Sequence, residues 1–104
     1  MDETTFHKLA DETLENLSEA LEDADDEGSL EVDFESGILN IETSRGKKYV
    51  INKHAAMKQI WMASPASGAS HFSYKEGRWK TSDGRFFDEM MTSEMKNLGV
   101  EIEL

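Results

Sequence analysis

Hydrophobic positions along this chain follow two periods. Between residues 3 and 24, Phe6, Leu9, Ala10, Leu14, Leu17, Ala20, Leu21 and Ala24 recur every three or four positions. That spacing gathers side chains on one side of an α-helix. Asp11, Glu12, Glu15, Glu19, Glu22 and Asp23 fall on the other side, and Asp25-Asp26-Glu27-Gly28 ends the predicted helix. From Ser29 the period changes to two. Leu30, Val32 and Phe34 alternate with Glu31, Asp33 and Glu35, which predicts a half-buried strand. Further strands are predicted over 38–43, 48–52, 58–64, 71–74 and 78–81, separated by turns at Ser36-Gly37, Ser44-Arg45-Gly46 and Glu76-Gly77 and by a Pro/Gly/Ser loop over 65–70. Ser82-Asp83-Gly84 offers an N-cap for a second helix, in which Phe86, Phe87, Met90, Met91, Met95 and Leu98 share a face until Gly99 stops it. Val100, Ile102 and Leu104 then alternate in a tail expected to pack back.

Short turns between consecutive strands imply an antiparallel meander. Two amphipathic helices at the ends of the chain can both cover one face of it. The expected architecture is therefore α+β: a two-layer sandwich with two terminal helices on one face of a five- to six-stranded antiparallel sheet, in one domain over 1–104.

Composition narrows the function. The chain has 104 residues, no cysteine, 22 acidic and 11 basic residues. Without cysteine the protein cannot carry sulfur, form a disulfide or bind metal through thiolate. No apolar run reaches the roughly 18 residues of a membrane span. The first positions lack the basic and apolar regions of a secretion signal and are too acidic for a transit peptide. The expected compartment is cytoplasmic, or the mitochondrial matrix if a leader has been removed. Fourteen acids lie in the first thirty-five residues against Lys8 alone, a formal −13, whereas residues 36–104 carry ten basic and eight acidic residues. This charge excludes nucleic acid from that end and favours cations and basic proteins.

The acids sit where helix physics disfavours them. Pairs such as 11/15, 15/19 and 19/23 set like charges beside one another at roughly 0.2–0.5 kcal/mol each. The helix C-terminus prefers Lys or Arg and instead meets Glu22, Asp23, Asp25, Asp26 and Glu27. If the next strand starts beside the helix end, Glu31, Asp33 and Glu35 extend the stripe into an open ridge of hard oxygen ligands for Mg²⁺, Ca²⁺, Mn²⁺ or iron. Carboxylates on a helix face cannot wrap one ion, so weak, exposed, multi-site binding with water completing each shell is expected. A closed calcium loop is ruled out. Asp23, Asp25, Glu27 and Gly28 fit its first positions, but Phe34 stands where the bidentate Glu is needed. On the predicted fourth strand Ile60 and Met62 face one side and Gln59, Trp61 and Ala63 the other. With helices over Ile60 and Met62, Trp61 stands on the open face, where it either lies flat over its neighbours as packing or serves as an aromatic anchor for a protein partner, with Asn52 and Lys53 nearby. His7 is either a further ligand of the acidic ridge or a plain surface residue, and His54 and His71 read as loop and strand-surface residues. No HExxH, GxSxG or phosphate-binding glycine loop is present.

The stretch Asn52–Phe72, NKHAAMKQIWMASPASGASHF, resembles the signature of the frataxin family and its bacterial CyaY branch. N-K, K-Q-I-W and S-P-x-S-G stand in order and at family spacing. The opening F-H-K-L-A-D, the run E-D-A-D-D-E-G and G-R-W-K-T-S-D-G before the last helix are similar too. Ala55-Ala56 and Ala69 depart from the usual residues in loops. The resemblance implies weak Fe²⁺/Fe³⁺ binding at Glu19, Glu22, Asp23, Asp25, Asp26, Glu27, Glu31 and Asp33, with Glu12, Glu15 and His7 at the margin of the ridge. It implies that Asn52, Lys53, Gln59 and Trp61 contact a cysteine desulfurase and its iron–sulfur scaffold, so that the protein regulates sulfur transfer. The expected form is a monomer that iron can assemble. The competing readings are a ferroxidase or iron-storing oligomer on the same ridge, and a metal-free acidic docking protein.

Overall fold

The computed structural model describes residues 1–104. Helix α1 spans Glu3–Ala24, and strands β1 (Leu30–Glu35), β2 (Ile38–Thr43), β3 (Lys48–His54), β4 (Gln59–Ser64), β5 (Gly68–Lys75) and β6 (Arg78–Lys80) follow before helix α2 (Phe87–Asn97). All neighbouring strands are antiparallel and the sheet order is β1-β2-β3-β4-β5-β6. Asp2 caps α1 by accepting the Thr5 N–H at 2.7 Å.

One face of the sheet is dry. Phe6, Ala10, Leu14, Leu17 and Leu21 of α1 and Phe87, Met91 and Met95 of α2 pack on Leu39, Ile41, Tyr49, Ile51, Ile60, Met62, Phe72 and Trp79. These residues lie at alternate positions of their strands, so the period of two along the strands and that of 3.6 along the helices meet in one layer. The other face carries Asn40, Val50, Asn52, Trp61 and His71 and is covered by no helix.

Three sequence expectations are corrected. The Pro/Gly/Ser loop is shorter than 65–70. Ser64 pairs with Gly68, and Ser64 Oγ accepts the N–H groups of Ala66 and Ser67 at 3.0 and 3.1 Å, so only three residues turn before β5 begins. Gly, Ala and Ser have no hydrophobic alternation to reveal the added ladder. Ser82-Asp83-Gly84 does not cap α2, whose N-cap is Phe86 without a side-chain bond. Those residues instead form a turn closed by Gly84 N–H to Thr81 O at 3.1 Å and Thr81 N–H to Arg85 O at 2.8 Å. Phe86 then bridges to Lys80, and the Arg78 guanidinium lies 3.6 Å over its ring. Finally, Leu98 and Leu104 do not join the core. They are 42% and 48% exposed, whereas Val100 and Ile102 are buried. Gly99 at φ 83 and the Val100 N–H bonded to Met95 O at 2.9 Å end α2 and redirect the chain, turning Leu98 outward.

Candidate functional site

Two surfaces hold the candidate residues. The first begins on α1. With Leu14, Leu17 and Leu21 fully buried, Glu12, Glu15, Glu19, Glu22 and Asp23 are exposed on the outer side of the helix. Asp26 and Glu27 continue the stripe, exposed, in the turn after it. None of these carboxylates has a hydrogen-bond or ion-pair partner within the protein, and α1 has no basic residue in its last turn.

Asp25 differs from its neighbours. Its Oδ1 accepts the Ser29 N–H at 2.9 Å and the Ser29 hydroxyl at 2.8 Å, and its Oδ2 accepts the Leu30 N–H at 2.8 Å. The bond from Leu30, followed by those from Ser29, holds the Asp25 carboxyl below its ordinary pKa. Asp25 is therefore the clamp that starts β1 beside the end of α1. Beyond it the ridge turns a corner. Leu30, Val32 and Phe34 face the helices, so Glu31, Asp33 and Glu35 lie on the opposite, open face of the sheet. The carboxylates flank the β1 edge on two sides. No three His, Asp or Glu side chains converge on a point where they could hold one ion. Open-face neighbours of Glu31 and Asp33 are Glu42, whose carboxylate is 3.7 Å from Lys48 Nζ, and Asn40. His7 lies sixteen residues before Asp23, roughly 24 Å along the helix axis. Its Nε2 sits 3.6 Å from Glu3 and its ring tilts against Phe6, so it stands apart from the ridge end.

The second surface is the open face. Asn52 of β3 pairs with Trp61 of β4, which pairs with His71 of β5. The Trp61 ring is stacked on both sides, with the His54 ring 3.8 Å away at 10° and the His71 ring 4.1 Å away at 8°. Its indole N–H donates to Gln59 Oε1 at 2.8 Å, and Gln59 Nε2 donates to Ser73 Oγ at 3.1 Å. His54 Nδ1 accepts the Met57 N–H at 3.3 Å. Asn52, Gln59 and Trp61 thus share one patch, held edge-up by two imidazoles. Lys53 has the opposite parity. Its side chain, 20% exposed, reaches under the β1–β2 turn to Asp11, with Nζ 3.0 Å from Oδ1. It lies so close to Gly37 that a Cβ there would be 2.6 Å from Lys53 Cε.

His71 lies on a strand surface as the sequence suggests, whereas His54 ends β3 instead of lying in a loop; sequence reasoning missed that both stack on Trp61, and it missed Glu94. The 61/71 pairing follows from the hairpin register, but His54 reaches Trp61 only diagonally, which no local pattern shows. Glu94 of α2 accepts from Tyr49 Oη at 2.8 Å, from Ser64 Oγ, and from Ser67 Oγ at 2.8 Å. Burial first, and then the bond to Glu94, push the Tyr49 phenol up to about 12. The carboxylate ties the Ser64–Ser67 turn to the helix layer.

Comparison with known proteins adds to this geometry. The family model described as Frataxin-like domain matches residues 1–100. Frataxin from Psychromonas ingrahamii, of the CyaY family, superimposes with a TM-score of 0.86 at 22% identity, covering 99% of this chain and 97% of that one. A trimeric frataxin from the yeast Saccharomyces cerevisiae, complexed with ferrous iron, gives a TM-score of 0.78 at 32% identity over 85% of this chain and 82% of its own. A further yeast frataxin structure gives 0.74 at 31% identity, covering 90% of this chain and 80% of its own.

Proposed function

The chain belongs to the frataxin family, and from that premise we propose that it binds iron on its acidic ridge and regulates iron–sulfur cluster assembly by docking on a cysteine desulfurase and its scaffold. The observation that carries this reading is the match of the family model across residues 1–100. The yeast relative complexed with ferrous iron supports iron as the ion.

The residues assigned to iron are Glu19, Glu22, Asp23, Asp25, Asp26, Glu27, Glu31 and Asp33. Their chemistry suits cargo better than a resident cofactor. Hard, unpaired, exposed oxygens hold Fe²⁺ or Fe³⁺ loosely, water completes each shell, and release stays easy. Asp25 contributes least, because a metal there competes with the bonds from Ser29 and Leu30. Asn52, Gln59 and Trp61 form the docking patch, and Lys53 acts beneath it by fixing the β1–β2 turn through Asp11. Having no cysteine, the protein acts on sulfur transfer by positioning its partners.

An anaerobic Fe²⁺ titration followed by amide NMR tests the first half. Resonances of Glu19–Glu27, Glu31 and Asp33 shift or broaden at near-stoichiometric iron, while those of β4 and β5 stay in place. Unchanged ridge resonances would remove iron from the proposal. A pull-down with the desulfurase tests the second half, with Trp61→Ala expected to lose binding. A second reading, an iron-storing or ferroxidase oligomer, is favoured by the trimeric state of the yeast relatives. Sedimentation with and without iron separates it, since an iron-driven trimer with Fe²⁺ oxidation abolished by Glu22→Ala/Asp23→Ala would favour storage.

A further inference from the structure

β1 pairs with β2 on one side and with no strand on the other. The direction of its backbone groups follows from the turn. Ser36 and Gly37 both have positive φ, 53° and 76°, and close a two-residue hairpin with Glu35 opposite Ile38. That flanking pair exchanges hydrogen bonds, and by alternation so do Asp33 with Asn40 and Glu31 with Glu42. The N–H and C=O groups of Val32 and Phe34 therefore point away from the sheet. Leu30 has the same parity, and its N–H goes to Asp25 Oδ2 rather than to β2.

The side chains along this edge are incompletely covered. Leu30, Val32 and Phe34 are half-buried, whereas Leu39 and Ile41, opposite Phe34 and Val32, are fully buried. On the open face Glu31, Asp33 and Glu35 are exposed and unpaired. Exposed edges are commonly blunted by charged side chains, above all Lys, by Pro or by a bulge. β1 carries charge of one sign only, on Glu31, Asp33 and Glu35, with no Lys or Pro, and its register with β2 runs without a break, so the edge repels another acidic strand but not a basic one.

We propose that the free edge of β1 is a docking site for an extended segment of a partner protein, added antiparallel, with Lys or Arg facing Glu31, Asp33 and Glu35 and aliphatic side chains facing Val32 and Phe34. Main-chain bonds supply the affinity and alternate side chains the selectivity, as in other cases of strand addition. Charge identifies the occupant. A second copy of β1 would set carboxylates against carboxylates across the new ladder, whereas a basic strand pairs each of them. The surface shares Glu31 and Asp33 with the iron reading and does not rest on it.

The test uses the whole protein, metal-free and in low salt, with a short capped peptide of alternating valine and arginine. Two further peptides carry N-methyl groups on the valines or on the arginines. In the antiparallel arrangement the valine N–H groups face β1. Methylating them is expected to weaken binding by about tenfold or more through loss of two or three hydrogen bonds, while methylated arginines leave it intact. Hydrogen exchange at the Val32 and Phe34 amides slows in the bound state. The triple variant Glu31→Gln/Asp33→Asn/Glu35→Gln weakens binding and flattens its salt dependence. Equal binding or equal loss for the two methylated peptides, shifts centred on Trp61, or no added protection at Val32 and Phe34 overturns the proposal and leaves the iron titration untouched.

Discussion

Asp25 shows that one carboxylate in an acidic run can do a different job from its neighbours. Its oxygens accept three protein hydrogen bonds, while Asp26 next to it accepts none. Asp25→Ala is therefore expected to lower the thermal midpoint by several degrees, and Asp26→Ala to leave it within error, as read by calorimetry. Because the folded carboxyl titrates below its ordinary value, its contribution is complete above that value and fades as pH falls through the lowered one. Asp25→Ala should accordingly cost least in acid. Trp61 belongs at this scale as well. Truncation to alanine removes two stacked contacts at about 0.5–1.5 kcal/mol each. Trp61→Ala should lose about 1–3 kcal/mol in urea unfolding yet remain folded, and a collapse of the fold would make Trp61 a core residue. The sequence shows that Trp61 leaves the helix-covered face. It does not show the two imidazoles, because stacking depends on strands that are not adjacent in the chain.

At the scale of elements, α1 carries like charges along its outer side and acids at the end that prefers cations. Changing Glu19, Glu22 and Asp23 to their amides is expected to stabilise by about 1 kcal/mol, equivalent to about 4–8 °C for a domain near this size. The gain should shrink in high salt, where exposed charges are screened. An unchanged or lower midpoint in low salt would mean that the ridge costs the fold nothing. The Ser64–Ser67 turn presents the opposite case, an element held by one distant carboxylate. With the Tyr49 phenol raised from 10.0 to about 12, the stability it contributes is full below pH 10 and is lost as pH climbs towards 12. Glu94→Ala should move tyrosinate absorbance to lower pH and speed amide exchange at Ala66 and Ser67, and Tyr49→Phe identifies which of the two tyrosines reports.

For the whole molecule, the question is how far the two surfaces act independently. Trp61 lies three strands from β1, about 14 Å at the usual strand spacing. Trp61→Ala is expected to leave the Fe²⁺ titration of the ridge unchanged, and the ridge amides to leave the Trp61 ring resonances unchanged. Cross-effects in either direction would mean that the two surfaces are coupled through the sheet.

By itself the sequence determined the order of elements, the layer each amphipathic face enters, the open position of Trp61 and the family. Each rests on local periodicity or contiguous motifs, which survive translation into any compact fold. The tertiary structure alone decided that the ridge bends around the β1 edge, that Asp25 is a clamp and that Lys53 is tied to Asp11. It alone showed that His54, Trp61 and His71 form one stack and that Glu94 anchors a turn 27 positions away. These depend on which residues meet after the chain has folded back, and neighbours across strands and layers leave no period in the sequence.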